Sequence, residues 1–348
     1  MEKNKTVKTR KTMKESFYAT REKIWNKKRA RLELHHSFKR SYREDYLRPL
    51  NTPGLVSHAW TTLKILFKNW KLFGGLMIII VFLNMTFVGL MNEATYQTVQ
   101  DSLDESSELL QYGELGRVAK SGLLLISTVT TGGLTKGMTE VQQVFVFLFG
   151  SITILVTIYY LRHLLAGNRP SIRDGLYNAL TPLITVMLML ALLFIHLIPA
   201  FIFTVLYSTA VATDFLSTPL YAFLFWLLGS LLILLTAYLV PVSLLSMVAV
   251  TVPGIYPMQA VHAVTDLIQG RRTKFIIRLL FAILFVAVIL VIVMVPLIWL
   301  DLVLKQNIEW LGELPFIPFM FQIMTTFVII YLTSYIYLYY RRMLDDPE

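Results

Sequence analysis

Six apolar runs constrain this chain more than anything else in it. They cover residues 72–91, 144–165, 180–211, 220–252, 279–304 and 317–340. An α-helix needs about 20 residues to cross a hydrocarbon core about 30 Å thick, and each run reaches that length. No water is present there to satisfy N–H and C=O groups, so a crossing segment must bond within itself, as a helix does. The expected fold is therefore an all-α membrane protein with six transmembrane helices. Composition agrees, with 55% hydrophobic and 16% charged residues. There are no cysteines, which excludes disulfides and thiolate metal sites.

Charge orients the spans. Residues 1–71 hold 19 Lys/Arg against 6 Asp/Glu, a net of +13 in a chain whose total is +10. The even-numbered connections are basic through Arg162, Arg169 and Arg173, and then through Arg271, Arg272, Lys274 and Arg278; the tail adds Arg341 and Arg342. The odd connections hold only Arg117, Lys120, Lys136 and Lys305. By the excess of Lys and Arg on the cytoplasmic side, both termini are expected inside. The first apolar run begins too late for a signal peptide, so span 1 is expected to stay as an anchor.

Residues 1–54 read as a basic cytoplasmic arm, partly disordered. Within it the Gly- and Pro-free stretch 14–38 suits a helix whose basic face carries Lys27, Lys28, Arg29 and Arg31. Near an anionic leaflet each such cation is worth on the order of 1 kcal/mol. Anionic lipid of the inner leaflet is the expected partner, with an unknown protein as a further one. Basicity alone is too unspecific to name nucleic acid. After the Thr52-Pro53-Gly54 turn, residues 55–71 form an interfacial helix that sets Lys64, Lys68 and Lys71 beside Trp60 and Trp70. The six-span domain occupies 72–340, with an outer loop at 92–143 that should be helical at about 94–112, and 341–348 is a cytoplasmic tail.

His58-Ala59-Trp60-Thr61-Thr62-Leu63 resembles His262-Ala263-Val264-Thr265-Asp266-Leu267, at an offset of 204 residues. Each match leads through basic residues into a span, and 170–179 leads similarly into span 3. The expected organisation is three repeated units, each an amphipathic inner helix (55–71, 171–178 and 257–269) followed by a helical hairpin. On the segments 57–71, 166–179 and 256–278 and the spans they enter, the chain resembles the six-span membrane domain attached to glycerophosphodiester phosphodiesterases and its stand-alone bacterial inner-membrane relatives. His36-Ser37-Phe38, Arg43-Glu44-Asp45-Tyr46, Arg48 and Pro53-Gly54 resemble a segment of multi-pass proteins from bacteria with reduced genomes. The resemblance implies a plasma-membrane location of the bacterial inner-membrane type and no established reaction. No soluble phosphodiesterase barrel fits in this length.

Three prolines, Pro199, Pro241 and Pro296, fall inside spans, where each removes an intrahelical hydrogen bond. They read as packing kinks; the alternative is a transport site at mid-membrane. His196 is the one ionisable side chain deep in a span and the candidate intramembrane polar site, expected to bond a carbonyl freed by Pro199. Arg162 is expected to snorkel, and Asp301 to sit at the outer boundary in reach of water. Thr131-Gly132-Gly133-Leu134-Thr135-Lys136 lacks the spacing of a phosphate loop, and neither H-E-x-x-H nor G-x-S-x-G occurs. No catalytic residue, cofactor or metal site is expected. The lipid-binding candidates are Lys27, Lys28, Arg29, Arg31, Lys64, Lys68, Lys71, Arg271, Arg272 and Lys274. The expected function is non-catalytic membrane organisation or assembly through lipid or protein partners at the basic inner face; the alternative is a transporter or permease subunit.

Overall fold

The computed structural model describes residues 54–89, 139–213, 215–307 and 316–344. The arm with Lys27, Lys28, Arg29 and Arg31, the helix expected at 94–112 and the tail 345–348 lie outside the described residues. Among the described residues there are nine α-helices and no strand: α1 Leu55–Lys68, α2 Trp70–Phe87, α3 Glu140–Leu165, α4 Ile172–Asn178, α5 Leu183–Ala212, α6 Pro219–Ala249, α7 Pro257–Leu267, α8 Arg272–Asn307 and α9 Phe316–Leu344. Six of them (α2, α3, α5, α6, α8 and α9) are long and apolar enough to cross a membrane. The short helices α1, α4 and α7 precede α2, α5 and α8.

Local chemistry explains most boundaries. Asn69 separates α1 from α2: its side-chain amide donates to the Ile65 carbonyl at 2.9 Å, so α1 closes where the sequence read a helix running on to residue 71. Thr139 and Gln142 form a capping box at the start of α3, as Ser171 and Asp174 do for α4. Hydrogen bonds from Ser171 hold the Asp174 carboxyl below its ordinary pKa. Pro219 and Pro257 open α6 and α7, where a missing N–H is harmless. Helix α8 starts earlier than the apolar pattern implied, so Arg272, Lys274 and Arg278 occupy its first turns instead of a connection. Pro199, Pro241 and Pro296 lie within helices that run on past them without interruption.

The helices pack around α9, which contacts α1, α2, α3, α6 and α8. Its C-terminal half is buried, with Tyr331, Tyr335, Tyr337 and Tyr339 facing the main core. Two buried hydroxyls of α9 are satisfied within the helix: Ser334 donates to the Ile330 carbonyl at 2.7 Å and Thr326 to the Gln322 carbonyl at 2.9 Å. By contrast, α5 and α6 pack chiefly on each other and display Phe194, Phe201, Phe223 and Leu234 outward, an apolar surface suited to acyl chains. Gly229 brings that hairpin close, since a Cβ there would meet the Phe203 ring.

Helix α4 is seated by two glycines. Ile172 fills the space a side chain would need at Gly75 of α2, and the Tyr160 ring of α3 lies against Gly175 of α4. The Tyr160 hydroxyl then donates to the Ile172 carbonyl at 3.2 Å. Gly175→Ala should therefore lower stability by about 1–3 kcal/mol, the usual range for overpacking. Gly74→Ala, where a Cβ meets nothing within 4 Å, should be neutral or slightly stabilising. Denaturation in mild detergent compares the two; equal effects would contradict this packing.

Candidate functional site

The best-built polar site lies at the basic end of the bundle, where α1 docks on α9. Residues His58, Ala59, Thr62, Leu63 and Leu66 form the buried face of α1. Two reciprocal bonds join the helices. His58 is fully buried, and its Nε2 donates to the Tyr335 carbonyl at 3.3 Å; the Tyr331 hydroxyl donates to the Ala59 carbonyl at 3.3 Å. A carbonyl can only accept, so Nε2 carries the proton in this arrangement and Nδ1 is left as a buried acceptor without a partner. The imidazole also packs edge-on to Tyr335, with ring centroids 4.4 Å apart, and lies 6.2 Å from the Tyr339 ring. Burial, together with the positive charges of Arg342 and Arg278, holds its pKa down to about 4.

The expected lipid-binding cations divide by environment. Lys64, Lys68, Lys71 and Lys274 are exposed. Arg271 is half-buried, and Arg278 is buried with its guanidinium 5.3 Å from the Tyr339 ring. Arg272 reaches from α8 to α6, lying 3.6 Å over the Tyr238 ring and donating to its carbonyl at 3.0 Å. Arg162 does not snorkel freely: it donates to the Thr251 carbonyl at 3.1 and 3.2 Å and to the Thr251 hydroxyl at 2.7 Å, clamping the α6–α7 connection to the end of α3. Arg162, Arg272 and Arg278 tie neighbouring elements together, and the lysines are left at the surface.

His196 bonds across to another helix, through Nδ1 to the Ser243 hydroxyl of α6. Its partner is thus not the carbonyl freed by Pro199. Asp301 is 5% exposed and not in reach of bulk water. His58 and His262, paired in the sequence match, stand in opposite environments: His262 is exposed and bonds the Met258 carbonyl of its own helix at 2.7 Å. Among the described residues no three His, Asp or Glu side chains are grouped to hold a metal ion.

Scanned against family models, characterised proteins and solved structures, the chain gave no match in any of the three.

The docked His58 makes the packing of α1 pH-dependent. An undocked imidazole protonates near 6.5, whereas the docked one stays neutral to about 4. Its contribution is complete above pH 6.5 and is lost as pH falls toward 4, by on the order of 3 kcal/mol at most. The thermal midpoint should fall between pH 7 and pH 5 in the wild type, and fall less in His58→Phe; equal falls would show that another group titrates. For the intramembrane pair, His196→Leu should cost about 1–2 kcal/mol and His196→Gln much less. A double-mutant cycle with Ser243→Ala should give a coupling of about 0.6 kcal/mol and no more than about 1.7.

Proposed function

We propose that this chain is a non-catalytic membrane-organising protein that gathers anionic lipid at its basic end. The observation carrying the reading is the exposed face of α1. Val56, Trp60, Lys64, Phe67 and Lys68 share an arc about 120° wide at the helical turn of about 100° per residue, opposite the face docked on α9. Trp70 and Lys71 continue it into α2. Exposed aromatics interleaved with lysines match the headgroup zone, where rings sit in the interface and ammonium groups meet phosphates. Because its reverse side is fixed to the bundle, this face needs no further ordering when it meets a membrane. Lys274, in the first turn of α8, adds positive charge at a helix N-terminus, where the macrodipole also favours an anion.

On this reading the basic end faces the cytoplasm, both termini lie there, and the membrane is a bacterial plasma membrane. The chain is organised as three units of short helix plus hairpin. The placement of α1, α4 and α7 before α2, α5 and α8 supports the repeat. The mismatch between His58 and His262 restricts it to the order of elements and does not extend it to side-chain positions. The phosphodiesterase-associated domains are the architecture we compare it with.

The test uses the full chain in detergent, titrated with phosphatidylglycerol or phosphatidylcholine and followed by native mass spectrometry. At about 1 kcal/mol per cation, Lys64→Gln/Lys68→Gln/Lys71→Gln should weaken phosphatidylglycerol binding by roughly 100-fold at low salt. The phosphatidylcholine affinity should not move. Equal preference for the two lipids in the wild type would sink the proposal.

A further inference from the structure

We propose a second site, independent of the lipid surface: a cleft at the opposite end of the bundle that binds a small uncharged group carrying both hydrogen-bond donors and acceptors. Helices α2, α3 and α9 line a partly open cleft of about 90 Å³ between them. It reaches from Val88 and Gly89 at the far end of α2 to Thr153, about halfway along α3. An internal volume of about 150 Å³ accepts benzene, so this one suits a fragment of several heavy atoms.

Its chemistry is unusual for the middle of an apolar bundle. Asn84 of α2, which is 8% exposed, and Gln322 of α9 both line it. Among the described residues neither carboxamide has a side-chain hydrogen-bond partner. Each amide brings two donors and an acceptor oxygen that a bound group can meet. Thr153, Thr325 and Thr326 complete the polar lining. Their hydroxyl protons are already given to the Phe149, Phe321 and Gln322 carbonyls at 2.7, 2.9 and 2.9 Å, so toward the cavity they offer acceptor lone pairs. No charged residue is among the described residues that line the cavity, and an ion entering it would lose its hydration with no opposite charge from them in return. Donors from two amides, acceptors from three hydroxyls and an uncharged wall select a neutral hydroxyl- or amide-bearing group. That group could be a free polyol or the glycerol end of a neutral lipid, whose chain would follow the apolar helix surfaces.

Thermal unfolding of the full chain in detergent tests this with glycerol, monoolein and, as a charged control, oleate. For the wild type, at least one neutral probe should raise the midpoint by about 3 °C or more at saturation. The variant Asn84→Leu/Gln322→Leu should lose that shift. Its own midpoint should not fall, because the replaced amides have no side-chain partner among the described residues. A shift with monoolein alone identifies the lipid source, and a shift with glycerol, alone or with monoolein, identifies the free hydroxyl group as sufficient. No shift with either, an equal shift in the variant, or an equal effect of oleate overturns the proposal. Should the variant fail to fold, the cysteine-free chain offers a second measurement on the cavity wall. A water-soluble thiol reagent should label Val146→Cys more slowly with the effective probe present, and an unchanged rate would equally overturn the site.

Discussion

Tyr331 and Tyr335, one helical turn apart on α9, carry the arrangement on which the rest of the basic end depends. Through the Tyr331 hydroxyl and the Tyr335 carbonyl they fix α1, whose buried face then fills the space beside α8 and α9. Without that seat α1 would have to cover Leu63 and Leu66 with lipid, and its aromatic and lysine face would have no fixed direction. The opposed arrangement, with one face on protein and the other free, rests on these two bonds together with the apolar contacts of Ala59, Leu63 and Leu66.

The same economy of polar groups governs the other contacts. In hydrocarbon a donor gains most from an acceptor nearby; Ser334 finds one within its own helix and His196 ties two helices together through Ser243. The buried Thr157 and Ser246 hydroxyls have neither kind of partner among the described residues. Arg162 and Arg272 extend the second kind of contact to the interface, where guanidinium groups reach a carbonyl and a ring face from one helix to the next. The Asn84 and Gln322 carboxamides line the cleft at the other end of the bundle.

The spans and short helices were legible in the sequence because each is a property of one segment. Twenty apolar residues form a crossing helix wherever they sit, and Ser171 followed by Asp174 starts a helix with no help from its neighbours. What one segment cannot encode is which face meets which partner. Leu63 and Phe67 lie one turn apart on the same apolar stripe of α1, so the sequence could not tell that Leu63 turns to protein and Phe67 to the surface. Only the positions of Tyr331 and Tyr335, more than 270 residues away, decide it. The early start of α8 was hidden because its first turns are basic and lower the hydropathy of the window. Burial of Asp301 and the Ser243 partner of His196 depend likewise on the approach of a second helix. One signal was available: Tyr331, Tyr335 and Tyr339 recur at four-residue spacing, a polar-tipped stripe that a wholly lipid-facing helix has no use for.

Hydrogen–deuterium exchange of the full chain in detergent at neutral pH tests the docking of α1 most directly. The amides of α1 should be protected to nearly the degree of the C-terminal half of α9, and Tyr331→Phe should reduce protection in α1 while leaving α2 unchanged. Exchange of α1 at the rate of a free peptide, or protection indifferent to the loss of the Tyr331 hydroxyl, would contradict the account.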